Sequence, residues 1–168
     1  KYKLLKRHAR SKNQIVTRKE ISSLEECFAF GNTKKALAIN FRQISESSSA
    51  RKNEVGRLNC QLLDCPETGS LDLLTEDRKY SYYSAYSRNL KLENETAVCL
   101  PNIGLFVRMK NSMNFTNAQS ACENMRGKLA DVMSEERSQA MAQFVLNKTP
   151  VYVGLSNRGG ERRWKNEF

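Results

Sequence analysis

The stretch Phe115-Thr116-Asn117-Ala118-Gln119-Ser120-Ala121-Cys122-Glu123-Asn124-Met125-Arg126-Gly127 decides the reading of the second half of the chain. Phe115, Ala118, Cys122 and Met125 recur at spacings of three and four, which puts them on one face of a helix. Thr116 with Gln119 three residues on has capping-box spacing, and Gly127 is a natural stop. Residues 129–132 then form a short apolar link. Ser134 is placed to cap a second helix whose Ala140, Met141, Phe144 and Val145 make one stripe. Pro150 ends the interruption after that helix. Val151-Tyr152-Val153-Gly154-Leu155 predicts a strand, residues 157–160 a turn, and residues 162–165 the start of a strand around Trp164 that has no partner where the sequence stops at Phe168.

Upstream the signals differ. Leu4, Leu5, Ile15 and Val16 suggest one or two short strands broken by the polar run 8–14. Ser22 with Glu25, and Ser23 with Glu26, have capping-box spacing, so a helix starts there. It is expected to run to about Phe30, with Leu24, Cys27 and Phe28 inward and Gly31 as its left-handed stop. Ala36-Leu37-Ala38-Ile39-Asn40-Phe41 reads as a strand buried on both faces. Residues 43–56 read as a surface loop, 57–63 as a strand carried by Leu58, Cys60, Leu62 and Leu63, 65–69 as a turn, and the aromatic run 80–86 as a closing strand. The first unit is expected to end near Asn89, with 90–98 as a polar linker and 99–168 as the second unit.

Two small cores built from 168 residues of which 39% are apolar would each be marginal, so cross-links would help. Five cysteines are present: Cys27, Cys60, Cys65, Cys99 and Cys122. No spacing among them reads as a zinc site, and the only histidine, His8, sits in a basic segment away from them. A disulfide set fits better. The odd count implies a free thiol, an intermolecular bridge or a partner outside the sequence. No apolar run reaches the length of a bilayer span, and the first residues are not a cleavable signal, so the chain reads as a processed or excised segment.

The net charge of +10 is uneven. Residues 1–20 hold eight cations (Lys1, Lys3, Lys6, Arg7, Arg10, Lys12, Arg18 and Lys19) against Glu20, which leaves only +3 for the remainder. Such a cluster attracts polyanions, with Lys3, Lys6, Arg7, Arg10 and Lys12 as the candidate contacts. The plainer reading is the solvated face of a first strand. Nucleic acid is the weakest partner class, because Tyr2 alone accompanies these charges as a stacking platform.

In that order of elements, residues 99–168 resemble the beginning of a C-type-lectin-like domain: Cys99, then Phe115, Ala118 and Cys122, then Leu129 and Ala130, then Glu135 and Glu136 opening a helix, then Tyr152-Val153-Gly154-Leu155, then Trp164. Phe115 and Tyr152 stand where tryptophan is commoner. The resemblance implies that the calcium ligands, the sugar-selecting motifs and the cysteine that pairs with Cys122 would lie downstream. Cys122 is therefore expected unpaired, the domain incomplete, and no cofactor held by the residues present, with calcium reserved for a completed domain. No set of Asp, Glu and Asn near the C-terminus has the oxygen-ligand spacing of a calcium loop. Residues 2–87 resemble an apple/PAN-like domain more loosely, through Leu24-Glu25-Glu26-Cys27, the strand 36–41 and Cys60-Gln61-Leu62. A second helix cysteine and its partner are missing near Phe30, Gly31 and Ala36. The resemblance implies Cys27 with Cys60, and then Cys65 with Cys99; Cys27 with Cys65 and Cys60 with Cys99 stays open. The expected fold class is α+β, as two small disulfide-containing domains: one helix on an antiparallel sheet, then two helices with short strands.

A histidine-based catalytic triad would have to be built around His8, and the pairs Glu25 with Glu26 and Glu135 with Glu136 read better as first-turn acids than as a dyad. No glycine pattern cradles a phosphate. Sequons occur at Asn94, Asn114 and Asn147, of which Asn94 and Asn114 are the glycosylation candidates and Asn147, with Pro150 close behind, is disfavoured. The expectation is a non-enzymatic, secreted or cell-surface recognition or adhesion module for protein or carbohydrate ligands. The alternative is a binder of sulfated glycans through the basic N-terminal segment.

Overall fold

The computed structural model describes residues 2–43, 58–68, 71–86, 96–145, 150–157 and 164–166. It divides into two compact units, Lys1–Lys91 with Cys99–Leu105, and Leu92–Val98 with Phe106–Phe168. The expected loop 43–56, apart from Gln43, and the sequons at Asn94 and Asn147 lie outside the described residues.

The first unit is an antiparallel sheet of five strands: β1 (Lys3–Arg10), β2 (Ile15–Lys19), β3 (Ala38–Phe41), β4 (Cys60–Leu63) and β5 (Thr75–Ser84), in the order β1-β5-β3-β4-β2. The aromatic run is thus an interior strand between β1 and β3, and it starts at Thr75, upstream of the expected 80–86. β1 continues through His8 to Arg10, where a break was expected. Its apolar alternation is hidden because the strand is an edge with one side in solvent and is bulged twice.

Helix α1 (Leu24–Thr33) begins where the serines predicted it. Ser23 Oγ accepts the Glu26 N–H at 3.2 Å, while the Glu26 carboxylate takes the N–H and hydroxyl of Ser22. The helix does not stop at Gly31. It runs two residues further, to Thr33, and closes in a Schellman motif, with Lys35 at φ 55° and the Ala36 N–H donating to the Gly31 carbonyl at 2.9 Å. Gly31 serves packing: a Cβ there would lie 2.7 Å from the Tyr2 hydroxyl and 3.0 Å from Ile39 Cδ1. The Tyr2 hydroxyl is itself fixed, donating to the Ala36 carbonyl at 2.6 Å. Gly31→Ala is therefore expected to cost about 1–3 kcal/mol through overpacking, read as a lowered denaturation midpoint.

The sheet has two buried faces. On the first, Ile39, Phe41, Cys60 and Leu62 pack with Cys27 of α1, Tyr2 and Ile21, with Phe28 and Tyr83 closing the edge. On the second, Ala38, Leu63 and Tyr82 pack with Ala9 and Leu74. Asn40 and Gln61, both buried, lie cross-strand from each other, and Asn40 is opposite Tyr82 as well. Asn40 exchanges hydrogen bonds with the Ser11 backbone (2.9 and 3.0 Å), and its Nδ2 also reaches Gln61 Oε1 at 3.3 Å. Gln61 Nε2 then donates to the Tyr80 hydroxyl at 2.9 Å. Asn59 does the same work elsewhere, binding the N–H and carbonyl of Ile21 at 2.9 Å each. These amides satisfy loop backbone that would otherwise be buried without partners.

Burial pushes the Tyr2 phenol up to about 12, and burial raises Tyr82, Tyr83 and Tyr86 as well. An unfolded phenol releases its proton near 10. Between the two values the folded state binds more protons, so stability is complete below pH 10 and falls as pH rises through about 12. A denaturation midpoint followed from neutral pH upward is expected to be flat until about pH 10 and then to drop.

Two disulfides lie in this unit. Cys27–Cys60 joins α1 to β4 with Cα atoms 5.8 Å apart, and Cys65–Cys99 joins the loop after β4 to β6 (Thr96–Leu100) with Cα atoms 5.7 Å apart. β6 pairs with β7 (Gly104–Arg108). Their link is a type II turn, with Pro101 second, Asn102 third at φ 61°, and the Ile103 N–H donating to the Leu100 carbonyl at 3.1 Å. The Asn102 N–H donates to the Asp64 carboxylate. Thr96, Ala97 and Val98, expected in the linker, belong to β6.

In the second unit, α2 (Phe115–Asn124) is capped by Asn114, whose side chain accepts the Asn117 N–H at 2.8 Å, two residues ahead of the expected Thr116. Asparagine is as good an N-cap as any residue, and its choice leaves Thr116 in the first turn. Here too the glycine is not the left-handed residue: Arg126, one position before it, takes that conformation at φ 61° and the Gly127 N–H donates to the Cys122 carbonyl. α3 (Glu135–Phe144) is capped by Ser134 as the sequence indicated. Ala118, Leu129 and Met141 are buried, and Phe115 meets Tyr152 edge to face. The strand expected over 151–155 reduces to β8 (Leu155–Ser156), because the Gly154 N–H is committed to the Ala130 carbonyl at 2.9 Å. β8 pairs with β9 (Lys165–Asn166), so the strand beside Trp164 has a partner, contrary to expectation, and Trp164 itself precedes it in the open.

Candidate functional site

The basic N-terminal segment becomes the outer edge of the five-stranded sheet, and strand geometry divides it. Lys6 lies opposite Tyr82, which is buried in the second face, while Arg7 lies opposite Ser81 on the side of Tyr83, which packs with α1. Arg7's charge opposes the burial that raises the Tyr83 phenol. Lys3 is opposite Ser84, on the Lys6 side. Lys6 Nζ donates to the Leu71 carbonyl at 3.4 Å, in a short 3-10 turn (Leu71–Leu73). Arg10 is half-buried, paired with Asp77 at 3.3 Å, and sits over the Tyr80 ring at 5.7 Å, with Arg42 over the same ring at 5.8 Å. Lys12 is exposed in the loop after β1. Thus Lys3, Arg7 and Lys12 face solvent, whereas Arg10 is already neutralised.

Register also brings in cations that the sequence did not point to. Arg7 faces Ser81 and Ala9 faces Glu76, so His8 alone stands against four residues, Asp77 to Tyr80. β5 bulges there. His8 accommodates the mismatch at φ 55° and donates from Nδ1 to the Arg78 carbonyl at 3.2 Å. Asp77 Oδ1 accepts the Lys79 N–H at 3.1 Å, a side-chain turn that shapes the bulge. Arg78 and Lys79 are both exposed. Arg7, His8, Arg78 and Lys79 therefore gather at one bulge, with Glu76 as the neighbouring acid. Asp77-Arg78-Lys79 can be read in the sequence, but the bulge it shapes and the histidine side chain bound to its carbonyl appear only once the strands are paired.

The other predicted sites are simply placed. Asn114 is exposed, and its capping role uses Oδ1, not the amide nitrogen. Cys122 is a half-buried free thiol on α2, and burial, with Glu123 beside it, raises its pKa. Among the described residues no three His, Cys, Asp or Glu side chains come together to hold a metal ion, so no residue is assigned to calcium. No helix among them is long and apolar enough to cross a membrane.

The second unit presents Met133, Val151, Tyr152 and Trp164 to solvent, the last at 68% exposure. No curated protein and no solved structure matches the chain. A protein-family model does: residues 111–168, carrying α2, α3, β8 and β9, match the model described as the lectin C-type domain, so this segment is similar to that family.

Proposed function

We propose that the chain is a non-enzymatic extracellular recognition or adhesion module that binds protein or carbohydrate ligands, organised as an apple/PAN-like domain over 1–89, a linker over 90–98 and a lectin-like region over 99–168. The match of residues 111–168 to the lectin C-type domain carries this reading, since such domains are generally recognition modules. Support for the first domain comes from one helix on an antiparallel sheet with α1 stapled to β4 by Cys27–Cys60. Two disulfides in so small a chain suit a secreted or cell-surface protein. An N-linked glycan at Asn114 would leave its capping oxygen free to bind Asn117, which makes it compatible with the fold. Screening the full chain against immobilised glycans and extracellular proteins is expected to give a saturable ligand whose binding is weakened by Tyr152→Ala or Trp164→Ala. Saturable binding untouched by either change would move recognition off the lectin-like region.

A second reading has its own observation: the exposed basic edge of β1. Through it, Lys3, Lys6, Arg7, Arg10 and Lys12 would bind sulfated glycans. Heparin retention is expected to fall when Lys3, Lys6, Arg7 and Arg10 are changed to alanine, and unchanged retention would end this reading.

A further inference from the structure

We infer that the sulfated-glycan site is centred on the β5 bulge, with Arg78 and Lys79 as its main contacts and Arg7 and His8 beside them, rather than on the contiguous N-terminal run. This placement rests on the sulfated-glycan reading. An exposed edge strand rich in Lys and Arg has a plain explanation, because charges there stop two edges from pairing. That accounts for Lys3, Lys6 and Arg7 on β1. Arg78 and Lys79 lie off that outer edge, on β5, where the ladder with β3 has already ended at Ser81 and the bulge against His8 leaves both exposed. There the chain spends four residues against one and holds His8 in a left-handed conformation, and the product is two adjacent exposed cations beside Arg7.

The chemistry selects the ligand. Arg10 is cancelled by Asp77, so the free cations are Arg7, Arg78 and Lys79, flanked by Lys3 and Lys6 and opposed by Glu76 and, on the α1 side, Glu25. The tyrosines of β5 offer no stacking platform, because Tyr80 and Tyr82 are buried and Tyr83 packs on Phe28. Along β1 only Leu4 exposes a large apolar side chain, too little to enter a lipid surface. A chain of sulfate groups needs only a row of cations and the unpaired backbone N–H groups of an edge strand.

The test uses the full disulfide-bonded chain and a size-defined heparin oligosaccharide, with titrations at several salt concentrations. Arg78→Gln/Lys79→Gln is expected to weaken binding at least tenfold and to flatten the salt dependence by about one unit per removed cation, while Lys3→Gln/Lys6→Gln has a smaller effect. Desulfated heparin of the same length is expected not to bind. Both variants should keep the parent's tyrosine circular dichroism and its monomer or oligomer state; a Lys79→Arg variant, which keeps charge, should bind as the parent does. If the parent fails to bind heparin, the sulfated-glycan reading itself falls. If the parent binds and Arg78→Gln/Lys79→Gln binds equally well, the reading stands and this placement is overturned.

Discussion

Replacing Cys27 and Cys60 together by alanine is expected to destabilise the first unit by about 4 kcal/mol or more, against about 3.7 kcal/mol for Cys65 and Cys99. The two bridges close loops of nearly equal length, with sequence separations of 33 and 34, so loss of chain-closure entropy cannot separate them. Burial does. Cys27 and Cys60 are both 0% exposed and sit among Ile39, Phe41 and Leu62, whereas Cys65 and Cys99 are only half-buried. Removing two buried sulfurs adds the cost of a void to the entropy term. Changing both cysteines at once avoids stranding a thiol. The readout weights the first unit: five of the six tyrosines, Tyr2, Tyr80, Tyr82, Tyr83 and Tyr86, belong to it, whereas Tyr152 and Trp164, the single tryptophan, belong to the second. Denaturant unfolding followed by tyrosine circular dichroism should shift more for the Cys27/Cys60 variant, and an equal or larger shift for Cys65/Cys99 would contradict the role given to burial.

Asn40→Ala should be the next most damaging change, at about 3 kcal/mol. Asn40 is 0% exposed and serves three groups at once, the Ser11 N–H, the Ser11 carbonyl and Gln61 Oε1. Alanine would leave them buried without partners, and each such group costs roughly 1–3 kcal/mol when water cannot reach it. Relaxation of the loop after β1 would recover part of this. The same tyrosine signal checks the prediction, with Lys12→Ala as the exposed control expected to change little. A loss below about 1 kcal/mol would mean that water replaces the amide.

What the sequence made legible depends on the kind of signal involved. Period-three-and-four apolar spacing placed α2 and α3, and Ser134 marked the start of α3 to the residue, whereas α1 was placed by two overlapping capping boxes, at Ser22 and Ser23, of which the second holds the cap. The cap of α2 was missed because two good candidates, Asn114 and Thr116, stood two residues apart, and spacing to Gln119 favoured the wrong one. Glycine misled at both Gly31 and Gly127. In each case a cation, Lys35 or Arg126, takes the left-handed position, where its charge suits the negative end of the helix. Gly31 is instead glycine because Tyr2 occupies the space, a fact about packing between residues 29 apart. The basic residues 1–20 were obvious as a charge run, yet a run in sequence is not a surface: β1 turns Lys6 and Arg7 to opposite faces. Arg78 and Lys79 could not be joined to it before the register between β1 and β5 was known.

The paired asparagines also bear on whether copies of the chain can exchange parts. β2 is an edge strand of five residues, the sort of element that two copies can trade between them. Its approach is clamped by Asn40 at Ser11 and its exit by Asn59 at Ile21. A traded β2 would have to break both clamps and strand two amides in the interior before gaining any pairing from a second copy. The two side chains therefore act as a kinetic lock, holding a short strand at home that its own ladder would hold only weakly.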